Sequence, residues 1–273
     1  MTEIRRPADY KSGIRPIWCP GCGDYGVLSA LTKALLRLEC RPEEVVVVSG
    51  IGCAARFPAY VNAYGVHGLH GRALPTAIGV KLARPELTVF AAGGDGDMYS
   101  IGGNHFVHAC RRNADITLLV MDNRIYGMTK GQPSPTTEPD YPTHLYPEGT
   151  HMQPLDALSL ALVAGANFVA RGFSGDPNGL AEMIVEAVRH PGFSVIEILS
   201  PCVTFRPEQR EWKHQVARGT LTPAADVAAA LAAVAAAPDL STGIVWKGER
   251  EPYAGPGSQA GRSMSDLLQS FVA

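Results

Sequence analysis

Asp95 and Asn123 each follow a predicted strand, at a spacing that suits the binding of a divalent cation. Asp95 lies in the sequence GGDGD, after the apolar run 87–92, and Asn123 comes 28 residues later, after the apolar run 116–121. Glycine lets a backbone approach a ligand closely, but a carboxylate in a phosphate-binding loop repels phosphate unless a cation lies between them. Mg²⁺ prefers oxygen ligands and often keeps substrate phosphates in its shell. The pair therefore predicts a diphosphate bound through Mg²⁺; the alternative is two ordinary Gly/Asp turns, which the βαβ spacing disfavours.

Four of the six cysteines lie where a tight turn or a sheet edge could bring their thiols together. Cys19 and Cys22 flank a Pro-Gly turn, which places two sulfurs on one side of a knuckle. Cys53 and Cys202 each follow a predicted strand, at the edge where parallel sheets bind ligands. Four thiolates converging there could bind Zn²⁺ or an iron–sulfur cluster, and the spacing alone does not distinguish the two.

The remaining cysteines, the histidines and the basic residues near these motifs support weaker predictions. Cys40 and Cys110 are interpreted as packing residues. His67 and His70 form an H-x-x-H pattern in a Gly-rich loop that supplies no third metal ligand. We therefore expect one of the two to bond a cofactor or a substrate carbonyl, with proton transfer within its chemistry; the alternative is a histidine that only stabilises the loop. Three basic residues flank the cofactor motifs and could pair with a substrate carboxylate, with solvated surface charge as the alternative: Arg72, Arg124 and Lys130.

Composition and charge exclude several classes of protein. The chain has 273 residues, of which 46% are hydrophobic and 18% are charged, so it can bury a core and is not disordered over most of its length. A net charge of −2 does not favour a nucleic-acid partner. The N-terminal residues contain no apolar signal segment, and no run approaches the ~18 apolar residues of a membrane span. We expect a cytoplasmic protein with reduced cysteines.

The hydrophobic pattern predicts an α/β fold with a mainly parallel sheet, because apolar runs alternate with segments of helical spacing. Strands are expected over residues 45–49, 87–92, 116–121, 167–170, 193–199 and 243–246. Helices are expected over residues 24–38, 102–112, 156–164, 178–190 and 222–237, and one more helix is expected to end before residue 84. Asp24 is the expected N-cap of the first helix, Asp176 or Asn178 that of the helix at 178–190, and Pro223 lies in the first turn of the last. The six prolines of segment 132–154 predict a long ordered loop or lid.

Six motifs occur in a fixed order and carry a resemblance to a known family. They are WCPGCG, SGIGCAAR, HGLHGRALPTAIGVKLA, GGDGDMYSIGGNH, MDNRIYGMTKGQPSPT and SPCVTF. The GDG sequence followed by Asn resembles the thiamine diphosphate motif. Over about residues 18–205 the chain closely resembles the β subunit of 2-oxoacid:ferredoxin oxidoreductases, and the form DNRIYGMTKGQ is most similar to the 2-oxoglutarate type. The resemblance implies a doubly wound, thiamine diphosphate-binding fold of the diphosphate module.

The resemblance also implies three groups of site residues. The Mg²⁺ ligands would be Asp95, Asn123 and the backbone carbonyl of Ile125. The thiamine diphosphate contacts would be Ile51, Gly52, Cys53, Ala54, His70, Gly94, Gly96, Asp97, Gly127 and Met128. A [4Fe–4S] cluster would be bound by Cys19, Cys22, Cys53 and Cys202.

The activity implied by the family is the coenzyme A-dependent oxidative decarboxylation of a 2-oxoacid, with 2-oxoglutarate favoured, and electron transfer through the cluster to ferredoxin, or the reverse carboxylation. The glutamate that activates the aminopyrimidine comes from a second module in such families, which implies an α subunit that supplies this module and the coenzyme A site.

We divide the chain into a cofactor domain, residues 1–205, and a C-terminal extension, residues 206–273, that packs on it or on a partner. The alternatives are a non-redox thiamine-dependent decarboxylase or transferase subunit with structural Zn²⁺, and a non-catalytic zinc-stapled scaffold.

Overall fold

The computed structural model describes residues 6–255 together with residues 265 and 269, and within them eight strands alternate with helices. The strands are β1 (Val45–Ser49), β2 (Tyr64–His67), β3 (Thr88–Gly94), β4 (Thr117–Asp122), β5 (Phe168–Phe173), β6 (Ser194–Leu199), β7 (Ala217–Leu221) and β8 (Ser241–Lys247). The α-helices are α1 (Asp24–Arg37), α2 (Phe57–Tyr60), α3 (Ala73–Ala83), α4 (Gly103–Arg112), α5 (Ala157–Ala164), α6 (Pro177–Arg189), α7 (Trp212–Gln215) and α8 (Val227–Ala236). A π-helical turn over Gly96–Ile101 joins β3 to α4.

The strands form one sheet in the order β2-β1-β3-β4-β6-β5-β8-β7. Every neighbouring pair is parallel except β5 and β8. From β1 the chain first adds β2 on one side and then β3 on the other, so the strand order reverses between β1 and β3. Such a reversal opens a crevice beyond the carboxyl ends of the strands, where open α/β sheets bind ligands.

Two hydrophobic cores cover the two faces of this sheet. Along β1, Val46 and Val48 pack into the core that includes α3, α4, α5 and α8, whereas Val45 and Val47 pack into the core that includes α1 and α6. Successive side chains of a strand point to opposite faces, so a strand buried on both faces reads as a continuous apolar run. Helices on both faces confirm the predicted doubly wound α/β fold.

The local predictions for two helix starts are wrong. Asp24 is the first residue of α1 and not its N-cap, and its carboxylate instead accepts a hydrogen bond from the Ser200 hydroxyl at 2.9 Å. Helix α8 begins at Val227, so Pro223 lies outside it, and the Asp226 side chain caps it. The Asp24 carboxylate thus bonds a distant hydroxyl, whereas Asp226 makes an ordinary local N-cap bond that starts α8 after Pro223.

Two strands were not predicted, and others are longer than expected. All four residues of β2 are exposed and most of β7 is exposed, so neither produces an apolar run. Strand β3 continues through Gly93 and Gly94, because both residues pair with β4. The Pro-rich segment 132–154 contains no helix or strand, as predicted. Of the two candidate N-caps of α6, Asp176 caps the helix by accepting a hydrogen bond from the Gly179 amide.

The described residues beyond 205 extend the same sheet. Strand β8 pairs with β5, and β7 pairs with β8. The side chain of Asn113 donates hydrogen bonds to the carbonyls of Arg250 and Glu251, which ties the following segment to the end of α4. The division of the chain at residue 205 stays a prediction. None of the described helices combines the length and the apolar character that a membrane span needs.

Candidate cofactor site

A cavity of about 140 Å³ lies beyond the carboxyl ends of β1, β3 and β4, at the point where the strand order reverses. It is lined by Ile51, Gly52, Cys53, Ala54, His70, Gly94, Asp95, Gly96, Asp97, Asn123, Ile125, Tyr126, Gly127, Met128 and Thr129. Every residue predicted to contact thiamine diphosphate or to bind Mg²⁺ is in this lining, while Tyr126 and Thr129 were not predicted. The structure therefore brings together residues that four separate motifs supply; their binding of a cofactor stays a prediction.

Two glycines allow side chains of the cavity to pack closely against the backbone. A Cβ at Gly50 would lie 2.0 Å from Oδ2 of Asp97, and a Cβ at Gly96 would lie 2.1 Å from Cε1 of the Tyr126 ring. No side chain fits at either position unless the carboxylate or the ring moves. The Tyr126 hydroxyl also donates a hydrogen bond to the Gly96 carbonyl at 3.1 Å, which fixes the ring against the loop.

The buried carboxylate of Asp97 orients His70. Oδ1 of Asp97 lies 2.5 Å from Nδ1 of His70 and accepts a hydrogen bond from the Gly71 amide at 2.7 Å. A carboxylate accepts hydrogen bonds, so Nδ1 carries the proton and Nε2 is left with its lone pair for a ligand. Oδ2 of Asp97 is buried and has no partner. An unpartnered buried oxygen beside a glycine loop suits a bound polar cofactor, so the residues present fit the predicted ligand.

Two further buried carboxyl groups, Asp95 and Asp122, lie close together at the end of the sheet behind the predicted Mg²⁺ position. Asp95 is 2% exposed, and its Oδ2 lies 2.8 Å from the Thr136 hydroxyl, which is also 2.7 Å from Oδ1 of Asp122. Burial raises the pKa of Asp95, and burial together with the neighbouring Asp95 raises the pKa of Asp122 to about 7. Of the two, Asp95 lines the cofactor cavity, where its carboxyl group suits a divalent cation whose charge would lower its pKa.

The loop after β4 presents the other predicted Mg²⁺ ligands. Oδ1 of Asn123 accepts a hydrogen bond from the Ile125 amide at 3.0 Å, and the Asn123 carbonyl accepts one from Nε2 of Gln209 at 2.8 Å. Between them Arg124 adopts a left-handed backbone, with φ of 58°. These contacts shape a tight turn, and both Asn123 and Ile125 line the cavity.

Arg124 is not available to a substrate carboxylate, so that prediction is wrong. Its guanidinium donates two hydrogen bonds to Asp239, at 2.8 and 2.7 Å, and one to Glu138 at 2.8 Å. The tertiary contacts of a distant segment therefore occupy it. The Arg72 guanidinium contacts the His105 ring, and Lys130 is exposed just after the cavity residue Thr129.

The four cysteines predicted to bind a cluster converge beside the cavity. Burial, together with smaller contributions from Asp24, Cys202 and Cys19, raises the pKa of Cys53 to about 11. The pKa of Cys22 is raised by burial and by Asp24, with Cys202 and Cys53 contributing. The thiols from three distant segments thus lie within electrostatic range of one another. Their soft sulfur donors suit an iron–sulfur cluster or Zn²⁺.

Backbone and side-chain hydrogen bonds hold the three cysteine segments together. Nε1 of Trp18 donates to the Cys53 carbonyl at 2.8 Å, and the Gly23 amide donates to the carbonyl of Pro201 at 3.0 Å, next to Cys202. All six cysteines are unpaired. Within the described part of the chain, no group of three or more His, Cys, Asp or Glu side chains is arranged to hold a metal ion. The cluster and the Mg²⁺ site therefore stay predictions.

The other two cysteines contribute to the cores. Cys110 on α4 is fully buried in the core that includes α3 and α5, and Cys40 is half-buried against the core that includes α1. Burial raises the pKa of both thiols. This placement agrees with their prediction as packing residues.

Comparison with known proteins places these features in a family. Residues 43–198 match the thiamine pyrophosphate enzyme family, C-terminal TPP binding domain. The chain is 48% identical over 203 residues to the 2-oxoglutarate oxidoreductase subunit KorB of Mycobacterium tuberculosis, covering 74% of this chain and 54% of that protein. It is also 48% identical over 188 residues to the 2-oxoglutarate synthase subunit KorB of Archaeoglobus fulgidus, covering 69% of this chain and 70% of that protein.

A solved structure shares the fold over almost the whole chain. The 2-oxoglutarate:ferredoxin oxidoreductase from Magnetococcus marinus, with 2-oxoglutarate, coenzyme A and succinyl-CoA bound, contains a chain that superimposes with a TM-score of 0.89 at 36% identity, covering 98% of this chain and 96% of that one. The matched region spans 54% and 63% of the lengths of two curated relatives, from M. tuberculosis and Aeropyrum pernix. The chain belongs to the β-subunit family of the 2-oxoacid:ferredoxin oxidoreductases.

Proposed function

We propose that this chain is the thiamine diphosphate-binding β subunit of a cytoplasmic 2-oxoglutarate:ferredoxin oxidoreductase. The complete enzyme would decarboxylate 2-oxoglutarate oxidatively, transfer the acyl group to coenzyme A and pass electrons to ferredoxin, or run the reverse carboxylation. The observation that supports this most directly is the convergence of all the predicted thiamine diphosphate and Mg²⁺ residues on one cavity, beside four neighbouring thiols.

Different residues of the cavity would bind different parts of such a cofactor. Asp95, Asn123 and the Ile125 carbonyl would bind Mg²⁺, and the glycines after β1 and β3 would admit the diphosphate. When bound, thiamine diphosphate supplies an electron sink for the carbon that loses CO₂. His70, whose Nδ1 is held by Asp97, would accept a hydrogen bond or a proton through Nε2, and would donate from Nε2 once protonated there.

The position of Cys53 supports a redox role for the thiols. Cys53 lines the cofactor cavity and interacts electrostatically with Cys19 and Cys202, and a Cβ at the cavity residue Gly127 would lie 3.4 Å from Sγ of Cys202. A [4Fe–4S] cluster bound by Cys19, Cys22, Cys53 and Cys202 would therefore lie directly beside the thiamine site. This arrangement suits the removal of electrons from the cofactor, which a non-redox decarboxylase does not need.

The partner and the substrate are inferred from the surface and from the relatives. Ile51, Leu69 and Met128, in or near the lining of the cavity, are 40%, 75% and 43% exposed, and exposed apolar residues at a site mark a protein interface. We propose that an α subunit covers them and supplies the pyrimidine-binding glutamate and the coenzyme A site.

The preference for 2-oxoglutarate rests on the names of the relatives, and Arg72 or Lys130 would bind its distal carboxylate.

The test uses the complex of this chain with its α subunit, purified without oxygen. We expect a brown protein that absorbs broadly near about 400 nm and contains about four irons per chain. Cys202→Ser should remove the colour and ferredoxin reduction, whereas the control Cys110→Ser should retain both. Steady-state rates with 2-oxoglutarate should exceed those with pyruvate and branched 2-oxoacids. A colourless complex with one Zn²⁺ would contradict the redox function, and faster turnover of pyruvate would contradict the substrate.

A further inference from the structure

Thr136 brings the Pro-rich segment 132–154 into contact with the end of the sheet. Its side chain is buried, and its hydroxyl lies 2.8 Å from Oδ2 of Asp95 and 2.7 Å from Oδ1 of Asp122. Asp95 lines the cofactor cavity, whereas Thr136 and Asp122 line a second, more polar cavity of about 360 Å³. The threonine hydroxyl therefore separates the two cavities at the back of the predicted Mg²⁺ site.

The topology makes a hydrogen-bond donor necessary at this point. Strands β3 and β4 are parallel neighbours, with Gly94 paired to Met121, so Asp95 and Asp122 leave the sheet side by side. Two carboxyl groups in such a position repel each other unless a donor or a cation lies between them. The Thr136 hydroxyl contacts Oδ2 of Asp95, and Ser134 and the Gly96 amide also bond this carboxyl group, so the orientation of the carboxylate depends on these contacts.

Neighbouring hydroxyl groups fix the position of Thr136. The Thr137 hydroxyl donates to the Arg124 carbonyl and accepts from the Ser134 amide, both at 2.7 Å. The Ser134 hydroxyl lies 3.3 Å from that of Thr136. The segment is thus attached to the loop after β4 on one side of Thr136, and the Thr136 hydroxyl has little freedom to turn away from the carboxylates.

We propose that Thr136 is a positioning residue for the metal, and that its hydroxyl holds the Asp95 carboxylate in the orientation that binds Mg²⁺. The inference rests on the proposed function, since it assumes that the cavity binds thiamine diphosphate with Mg²⁺. It adds to the three predicted metal ligands a residue that acts through one of them. Hydrogen-bond partners of a metal ligand orient it, and their loss typically weakens metal binding by about 10- to 100-fold.

The experiment measures metal affinity and not only turnover. The complex with the α subunit is freed of metal by dialysis against EDTA, saturated with thiamine diphosphate, and titrated with Mg²⁺ by calorimetry and with Mn²⁺ by electron paramagnetic resonance. Thr136→Val, which removes only the hydroxyl, should weaken both metals by about 10- to 100-fold. Thr136→Ser should bind them like the wild type. Thr32→Val is the matched control, because its buried hydroxyl bonds only carbonyls within α1.

The outcomes separate this inference from the function on which it rests. A wild-type complex that binds neither metal with thiamine diphosphate would overturn the proposed function. A wild-type complex that binds them, with Thr136→Val of equal affinity, would overturn the positioning role alone. If valine prevents folding, Thr136→Ala takes its place and has to show the same loss; equal affinity in that variant, or a weakened Thr136→Ser, would also overturn it.

Discussion

Arg124 lies at the centre of the ion-pair network behind the cofactor edge, so its replacement is a sensitive test of the structure. The guanidinium pairs with Asp239, which follows α8, and with Glu138 in the Pro-rich segment, while its backbone lies between the predicted Mg²⁺ ligands Asn123 and Ile125. Arg124→Met keeps the length and the left-handed backbone but removes the charge and every donor of the side chain. The change therefore reports the guanidinium alone.

The size of the effect follows from burial. Removing one partner of a buried ion pair costs about 3–5 kcal/mol, and an exposed pair contributes about 0–1 kcal/mol. The Arg124 side chain is 10% exposed, but Glu138 and Asp239 are 37% and 70% exposed, so water screens part of each interaction. We expect Arg124→Met to lower the free energy of unfolding by about 2–3 kcal/mol, between the two limits.

Unfolding in urea, followed by circular dichroism, measures this change. The matched control is Arg41→Met, because Arg41 pairs with Glu43 and Glu44 at the surface, and such exposed pairs contribute little. Hydrogen exchange should also quicken over residues 123–126 and 136–138 in the Arg124 variant only. If Arg124→Met and Arg41→Met unfold at the same urea concentration as the wild type, the described network contributes no stability and the reasoning fails.

Two further substitutions test the cavity and the ion pairs. Gly96→Ala should abolish the rise in melting temperature that thiamine diphosphate with Mg²⁺ gives the complex, because the added carbon meets the Tyr126 ring; Gly79→Ala, which meets nothing within 4 Å, should retain it. Burial alone would raise the pKa of Glu138. Hydrogen bonds from Arg206 and Arg124 outweigh this effect and lower the pKa. The folded state then binds fewer protons than the unfolded state, so stability should fall as the pH drops below 4.5. Glu138→Gln should flatten this slope in melting curves that extend from neutral pH to well below pH 4.5; an unchanged slope would contradict the assignment.

The central strands and the residues that line the cavity could be predicted because their information is local. Strands β1, β3 and β4 are buried on both faces, so each reads as an apolar run. The polar residues at their carboxyl ends follow these runs directly, as Asp95 follows β3 and Asn123 follows β4. Parallel pairing places such ends at one edge, which makes their convergence a consequence of the topology.

The site contacts that failed or were missed depend on long-range packing. Arg124 and Asp239 are 115 residues apart, so no local pattern reveals that the guanidinium is already paired. Thr136 lies within the motif MDNRIYGMTKGQPSPT, but its contact with Asp95 exists only because an irregular segment folds back onto the sheet. Asp24 shows the same limit, since a residue from the loop after β6 competes for its side chain.

The predicted thiamine site and the predicted cluster share the end of β1, because Cys53 belongs to both. Cys53 follows β1, and its segment lines the cavity where the thiamine site is proposed. The same thiol interacts with Cys19 and Cys202 from two other segments. A metal bound only to staple the fold has no need to lie at the carboxyl edge of the central strands, because that edge is where the sheet binds its ligands. The position of these cysteines at this edge is therefore the reason we propose a role in electron transfer for them and not a purely structural one.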